Sequence, residues 1–169
     1  MSDRNQPVAF GTMAMNILLI VGRIAFVLVF ILSGVQKLLD LSATSAMIES
    51  KLVVPPILID VETQLRDLTG MPLPRLLAIV AGLVEIGGGL LIAANVGIRI
   101  AAAGLIIFTA AATWLFHPFW MMSGPEQTNN MAHALKNLSL IGALLVFFVI
   151  GPWRPYAAAH GDSDSDSGY

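Results

Sequence analysis

The sequence contains no cysteine, which excludes disulfides, thiolate metal sites and thiol–disulfide redox chemistry within the chain. Charge is nearly as scarce. Only 12% of the 169 residues are Asp, Glu, Lys or Arg, whereas 56% are hydrophobic, a balance too apolar for a soluble domain of this size. The nine basic residues are scattered and the formal net charge is −2, so no cationic stripe exists to follow a phosphate backbone and nucleic acid is not an expected partner. Phosphate loops, nucleotide fingerprints and serine-nucleophile elbows are missing as well.

What the chain does have is hydrophobic length. A membrane-crossing helix needs about 20 mostly apolar residues, and four windows meet this, at about 13–38, 75–95, 98–119 and 131–153. The expectation is an all-α membrane protein, a four-transmembrane-helix bundle over residues 13–155 with the lipid bilayer as its solvent. A polar N-terminal segment, 1–12, precedes it, and a Gly, Asp and Ser tail, 156–169, follows as a disordered acidic extension. The first apolar run is longer than a signal-peptide core and lacks a clear small-residue cleavage site, so it is expected to be retained.

Between the first two spans, Pro55, Pro56, Pro72 and Pro74 interrupt any long helix, and residues 40–74 read as the principal loop. Inside it Ile57, Leu58, Val61, Leu65 and Leu68 fall at helical spacing with Asp60, Glu62 and Arg66 opposite, which predicts a helical segment lying flat at the membrane interface. The turn carrying Asn95, Gly97 and Arg99 is short, so spans two and three are antiparallel neighbours. Pro118 and Ser123-Gly124-Pro125 open a second polar loop that runs to Asn130.

An even number of crossings places both termini and the Arg99 turn on one side, the terminal side, and the two long loops on the other, the loop side. Cations near the membrane balance, with Arg4, Arg99 and Arg154 against Lys51, Arg66 and Arg75, so charge bias selects no orientation.

Ionisable residues inside a span cost at least about 2.5 kcal/mol each and demand a partner, a route to water or a function. Counted along the helical rise, Arg23 and Glu85 fall near mid-depth and are expected to be counter-ions. Arg23, Phe30, Gly34 and Lys37 share a stripe of span one, and Glu85 shares its stripe with Ala78, Ala81, Gly82, Gly88 and Gly89. Small neighbours allow close helix approach, so Glu85 should face protein. Thr109, Thr113 and His117 line one stripe of span three, while Lys136 and Asn137 lie in the first turns of span four. Lys37, His117, Lys136 and Asn137 should therefore converge on the loop side above Glu85 and Arg23 as the lining of a polar cavity. In that cavity Lys37, His117 and Lys136 would hydrogen-bond a carbonyl or oxyanion, with Glu85 as a proton relay. The plainer alternative is an ion pair that fixes helix register, with the lysines snorkelling to the headgroups.

No metal site is expected. His117 and His133, with Met121, Met122 and Met131 nearby as soft ligands, are the candidates for a metal or haem. A bis-His haem needs histidines facing each other at matched depth, and His133 is expected in a loop or first turn, which disfavours haem and copper. Trp114, Trp120 and Trp153 read as interfacial aromatics.

The order and spacing of Arg23, Gly34 and Lys37, then Glu85, Gly88 and Gly89, then Gly97, Arg99, His117 and Lys136-Asn137 resemble the DoxX family of small bacterial membrane proteins, over about residues 16–152. The resemblance implies a multi-pass four-helix bundle in the bacterial cytoplasmic (inner) membrane with cytoplasmic termini. It also implies partnership with redox systems, since members include subunits of a quinone-reducing thiosulfate oxidoreductase and of a complex that detoxifies oxidants. By that analogy the chain is a membrane subunit of a redox complex that holds quinone or another small oxidant, has no redox centre of its own, and meets soluble redox-protein partners. Two other readings stand beside it. One is a non-enzymatic anchor or assembly factor whose loops dock soluble proteins, and the other a small-solute transporter, for which a homodimer would be needed to complete a pathway.

Overall fold

A computed structural model describes residues 6–153. Its helices are α1 (Gln6–Leu39), α2 (Leu41–Glu49), α3 (Ile59–Thr69), α4 (Leu73–Ala93), α5 (Ile98–Phe116) and α6 (Gly124–Ile150), with 3-10 turns at Pro56–Leu58 and Phe119–Met121. Four are long and apolar enough to cross a bilayer, over Met13–Leu39, Leu73–Ala93, Ile98–Met121 and Gly124–Ile150. The fold is therefore an all-helical four-span bundle. The acidic tail lies outside the described residues, and so does the start of the polar N-terminal segment, whose later part already belongs to α1.

Each spanning helix buries one narrow stripe. On α1 this is Arg23, Val27 and Phe30; on α4 it is Ala78, Gly82, Glu85, Gly89 and Ile92, every three or four residues as helical geometry requires. Small side chains set the closest contact. A Cβ added to Gly34 would lie 2.7 Å from the Gly82 carbonyl oxygen, and one added to Gly89 would lie 2.8 Å from Ile31, so α1 and α4 pack nearly backbone to backbone. Leu105 of α5 fills the hollow over Gly88 in the same way. Val27, Phe30, Ile92, Ala102, Leu105 and Leu144 form the apolar core. The helices run around the bundle in the order α1, α4, α5, α6. The ring is loosest between its ends: among the described residues no Cα pair of α1 and α6 lies within 8 Å, and the rings of Phe26 and Phe147, 5.2 Å apart, bridge the gap.

The structure differs from the sequence expectation in three places. Residues 40–74 are not all loop and interfacial segment, because α2 occupies Leu41–Glu49. Asp40 leaves helical geometry at φ −116° and its side chain accepts from the Ala43 N–H at 3.2 Å, so it ends α1 and caps a new helix that folds onto α4. The prolines that argued for a loop begin only at Pro55 and do not act on these residues. Next, α6 starts at Gly124, seven residues before the expected Met131, because Pro125 occupies the first turn, where a missing N–H costs nothing. His133 consequently sits within a helix and not in a loop or first turn. Finally, α5 ends at Phe116 with His117 as its C-cap. The expected interfacial segment is α3, stopped by left-handed Gly70 at φ 69°, with Ile57 and Leu68 more than four-fifths exposed.

On the terminal side, Asn95 and Gly97 take left-handed conformations and reverse the chain between α4 and α5. The Asn95 side chain then donates to the Trp153 carbonyl and accepts from the Trp153 N–H, both at 3.0 Å, tying that turn to the end of α6.

Candidate functional site: a polar cavity in the loop-side half

A cavity of about 460 Å³ opens between the loop-side halves of the spans, within the size range of small-molecule sites. Its polar lining comes from α1 (Ser33, Lys37), α4 (Glu85), α5 (Thr109), the α5 cap (His117) and α6 (Lys136, Asn137).

Glu85 is only 5% exposed, held inward by the glycine contact beside it. Its Oε2 lies 2.7 Å from Lys37 Nζ, and its Oε1 accepts from Ser33 Oγ at 3.1 Å. Lys37 also donates to Ser33 Oγ, 2.6 Å away. Its contact with Glu85 is thus a charge-assisted ion pair across α1 and α4. Ser33, one helical turn before Lys37, links both ends.

The expected pairing of Arg23 with Glu85 does not form. Helix offset explains it. Leu38, one residue from the end of α1, packs on Gly82, nine residues into α4, so α4 overshoots α1 on the loop side and α2 covers the overshoot. Glu85 is therefore level with Gly34, its Cβ 3.0 Å from where a Gly34 Cβ would stand. Arg23 lies eleven residues further along α1, about 16 Å away in axial rise. It is buried at 8% exposure, makes no ion pair among the described residues, and its Nε has no hydrogen-bond partner.

On the opposite wall, Asn137 Nδ2 donates to Thr113 Oγ1 at 2.9 Å, and Thr113 donates to the Thr109 carbonyl at 2.6 Å. Thr109 is buried, lines the cavity, and its hydroxyl has no partner. His117 Nδ1 lies 3.0 Å from Asn130 Oδ1, and Asn130 Nδ2 donates to the Glu126 carbonyl at 3.0 Å. The second bond fixes which end of the amide faces the imidazole, so Asn130 accepts, Nδ1 carries the proton in the neutral ring, and Nε2 is left as an acceptor. His133 stacks on His117, ring centroids 5.0 Å apart and planes at 15°. This is a face-to-face contact and not a convergence of two ring nitrogens on one point. Lys136 is exposed at the rim.

Of the residues singled out in the sequence, Lys37, Glu85, His117, Lys136 and Asn137 line one cavity, and Arg23 stands apart from it on the terminal side. Ser33, Thr109 and Asn130 were not singled out as site residues. Ser33 was visible as a hydroxyl inside the first span, one turn from Lys37; Asn130 gave no signal, because it was expected to end a loop.

Residues 18–118 match the DoxX family profile. The chain is also 31% identical over 143 residues to inner membrane protein YphA of Escherichia coli (strain K12), covering 85% of this chain and 89% of that one. This chain belongs to the DoxX family. As a DoxX protein with four apolar spans, it is a multi-pass protein of the inner membrane. No solved structure matches the chain.

Proposed function

We propose that this DoxX protein binds a small lipophilic ligand bearing carbonyl or hydroxyl groups, of the quinone class, in its loop-side cavity and serves as a membrane component of a redox or oxidant-detoxifying system. The observation that carries the reading is the lining itself: half-buried Lys37 paired with buried Glu85, together with Thr109 and His117, lines one apolar-walled cavity of about 460 Å³. The Lys37 ammonium is a donor for a carbonyl oxygen. Glu85 and His117 Nε2 are acceptors for the hydroxyl of a reduced form. Such a set accommodates both ends of a two-proton redox pair, and Glu85 is placed to take or return a proton. In this reading electrons come from a partner protein or a bound organic cofactor. With the termini in the cytoplasm, as the family resemblance implies, the cavity lies in the outer half of the membrane and the partner meets the loop side.

The test is purification in mild detergent followed by mass spectrometry of lipophilic molecules and proteins that travel with the chain. A quinone-class molecule should co-purify with the wild type and be lost from His117→Ala and Lys136→Ala. A chain that carries none and does not bind added quinone removes the reading. Exposed Ile57, just before α3, and Leu68 within it favour a second role, docking at the membrane surface or to a partner. Deletion of 57–68 should abolish that role while leaving ligand binding intact.

A further inference from the structure

We infer that the ligand of this cavity is a single-tailed amphiphile lying across the bundle, its polar head at the Lys37–Glu85 pair and its tail leaving into the bilayer between α4 and α5. The inference rests on ligand binding as proposed above and adds to it the shape of the ligand and its path.

The two ends of the cavity differ in chemistry. Ser33 and Lys37 of α1 with Lys136 and Asn137 of α6 gather polar groups around Glu85, and Thr109 and His117 of α5 add to them, while Val29, Phe30 and Leu140 are apolar lining on the same side. The opposite end is bounded by Leu77, Val80 and Ala81 of α4 and by Phe108, Ala111 and Leu115 of α5, all apolar. A purely polar solute leaves half of such a cavity unsatisfied, and a purely apolar one strands the charged half. An amphiphile satisfies both.

The apolar end is open. Val80 is 54% exposed and Ala111 is exposed, yet both line the cavity, so its wall reaches the outer surface there. Val80 lies seven residues into α4 and Ala111 five residues before the end of α5, about 10 Å and 8 Å of helical rise from the loop-side ends. Both positions fall within the apolar spans Leu73–Ala93 and Ile98–Met121, so the opening is expected to meet lipid. The opening also has a structural origin. The two helices are joined by the tight turn on the terminal side and meet closely where Leu105 covers Gly88, whose added Cβ would stand 2.8 Å from it. Beyond that contact, toward the loop side, the cavity separates them. Above the cavity Thr44, Met47 and Ile48 of α2 contribute to the lining, and Ile48 is buried, so α2 narrows access from the loop-side water.

The full chain in lipid nanodiscs is titrated with a decyl-tailed benzoquinone and with the same headgroup lacking the tail. A Val80→Trp, Ala111→Trp variant places bulk at the exit on exposed positions, away from the core. The tailed ligand should bind the variant about tenfold more weakly than the wild type, the equivalent of losing roughly two buried methylenes, while the tail-less headgroup binds both alike. Equal effects on the two ligands, or no effect on either, overturn the tail exit and leave the cavity reading standing. Failure of both ligands to bind the wild type overturns the cavity reading itself. A tailed quinone with a diazirine at its far end tests the path with no substitution. Photolysis should mark peptides containing Val80 or Ala111, and labelling at Val29 or Leu140, on the α1–α6 side, overturns the inference.

Discussion

Lys37 and Glu85 are joined across α1 and α4 one turn from the point where those helices come closest, with Nζ 2.7 Å from Oε2 and the Gly34–Gly82 contact alongside. The glycines bring the backbones together, and that nearness lets a lysine near the end of one helix reach a carboxylate well inside the other. A pair with a buried carboxylate adds little net stability but is costly to break from the lysine side, because the Glu85 charge stays in a poor solvent.

Lys37→Met should therefore lower stability by about 2–3 kcal/mol, since it strands the Glu85 carboxylate. Adding Glu85→Gln should recover most of the loss. Thermal unfolding in one fixed detergent measures both, and a double variant as unstable as Lys37→Met alone would show that pairing is not what the lysine supplies.

Two glycines of α1 should respond in opposite ways to the same substitution. Gly22 has nothing within 4 Å of an added Cβ, whereas Gly34 meets the Gly82 backbone oxygen at 2.7 Å. Gly22→Ala is expected to be neutral or slightly stabilising, while Gly34→Ala forces the helices apart at a cost of about 1–3 kcal/mol. If the two variants unfold together, the close approach of α1 and α4 is not the contact that sets the bundle.

These residues also show how far the sequence could be read. The four spans and the inward face of Glu85 follow from apolar length and helical periodicity, which are local properties. The partner of Glu85 is not local. It depends on an axial offset between α1 and α4 fixed by where Leu38 meets Gly82, and counting depth from the ends of each span cannot supply that offset. The same limitation hid Asn130, whose role requires knowing that α6 begins at Gly124. Helix α2 was missed for a different reason: nine residues capped by Asp40 are too few for a strong periodic signal.

The clasp between Asn95 and Trp153 predicts a stability effect far from the cavity. Asn95 holds φ 61°, so Asn95→Gly keeps the backbone geometry and removes only the two side-chain hydrogen bonds. A loss of about 1–3 kcal/mol is expected. Asn95→Ala should lose about 1 kcal/mol more through left-handed strain. Hydrogen exchange at the Trp153 amide reads the clasp directly. An amide equally protected in Asn95→Gly and wild type would mean that the bond from Trp153 N–H to Asn95 does not form in the membrane.

The last prediction concerns a single proton. Asn130 is held by the Glu126 carbonyl and so presents an acceptor to His117 Nδ1, which keeps the lone pair of the neutral ring on Nε2. In Asn130→Ala that preference disappears, and the proton should distribute over both ring nitrogens. Nitrogen-15 spectra of labelled His117 with a neutral ring should show a protonated Nδ1 and a bare Nε2 in the wild type, and averaged shifts in the variant. Asn130→Asp, which retains an acceptor, should restore the wild-type pattern. If His117 Nε2 accepts from a bound hydroquinone hydroxyl, Asn130→Ala should weaken the reduced ligand more than the oxidised one, because only the reduced form donates there. Equal weakening of both forms would make Asn130 a packing residue and would remove Nε2 from ligand recognition.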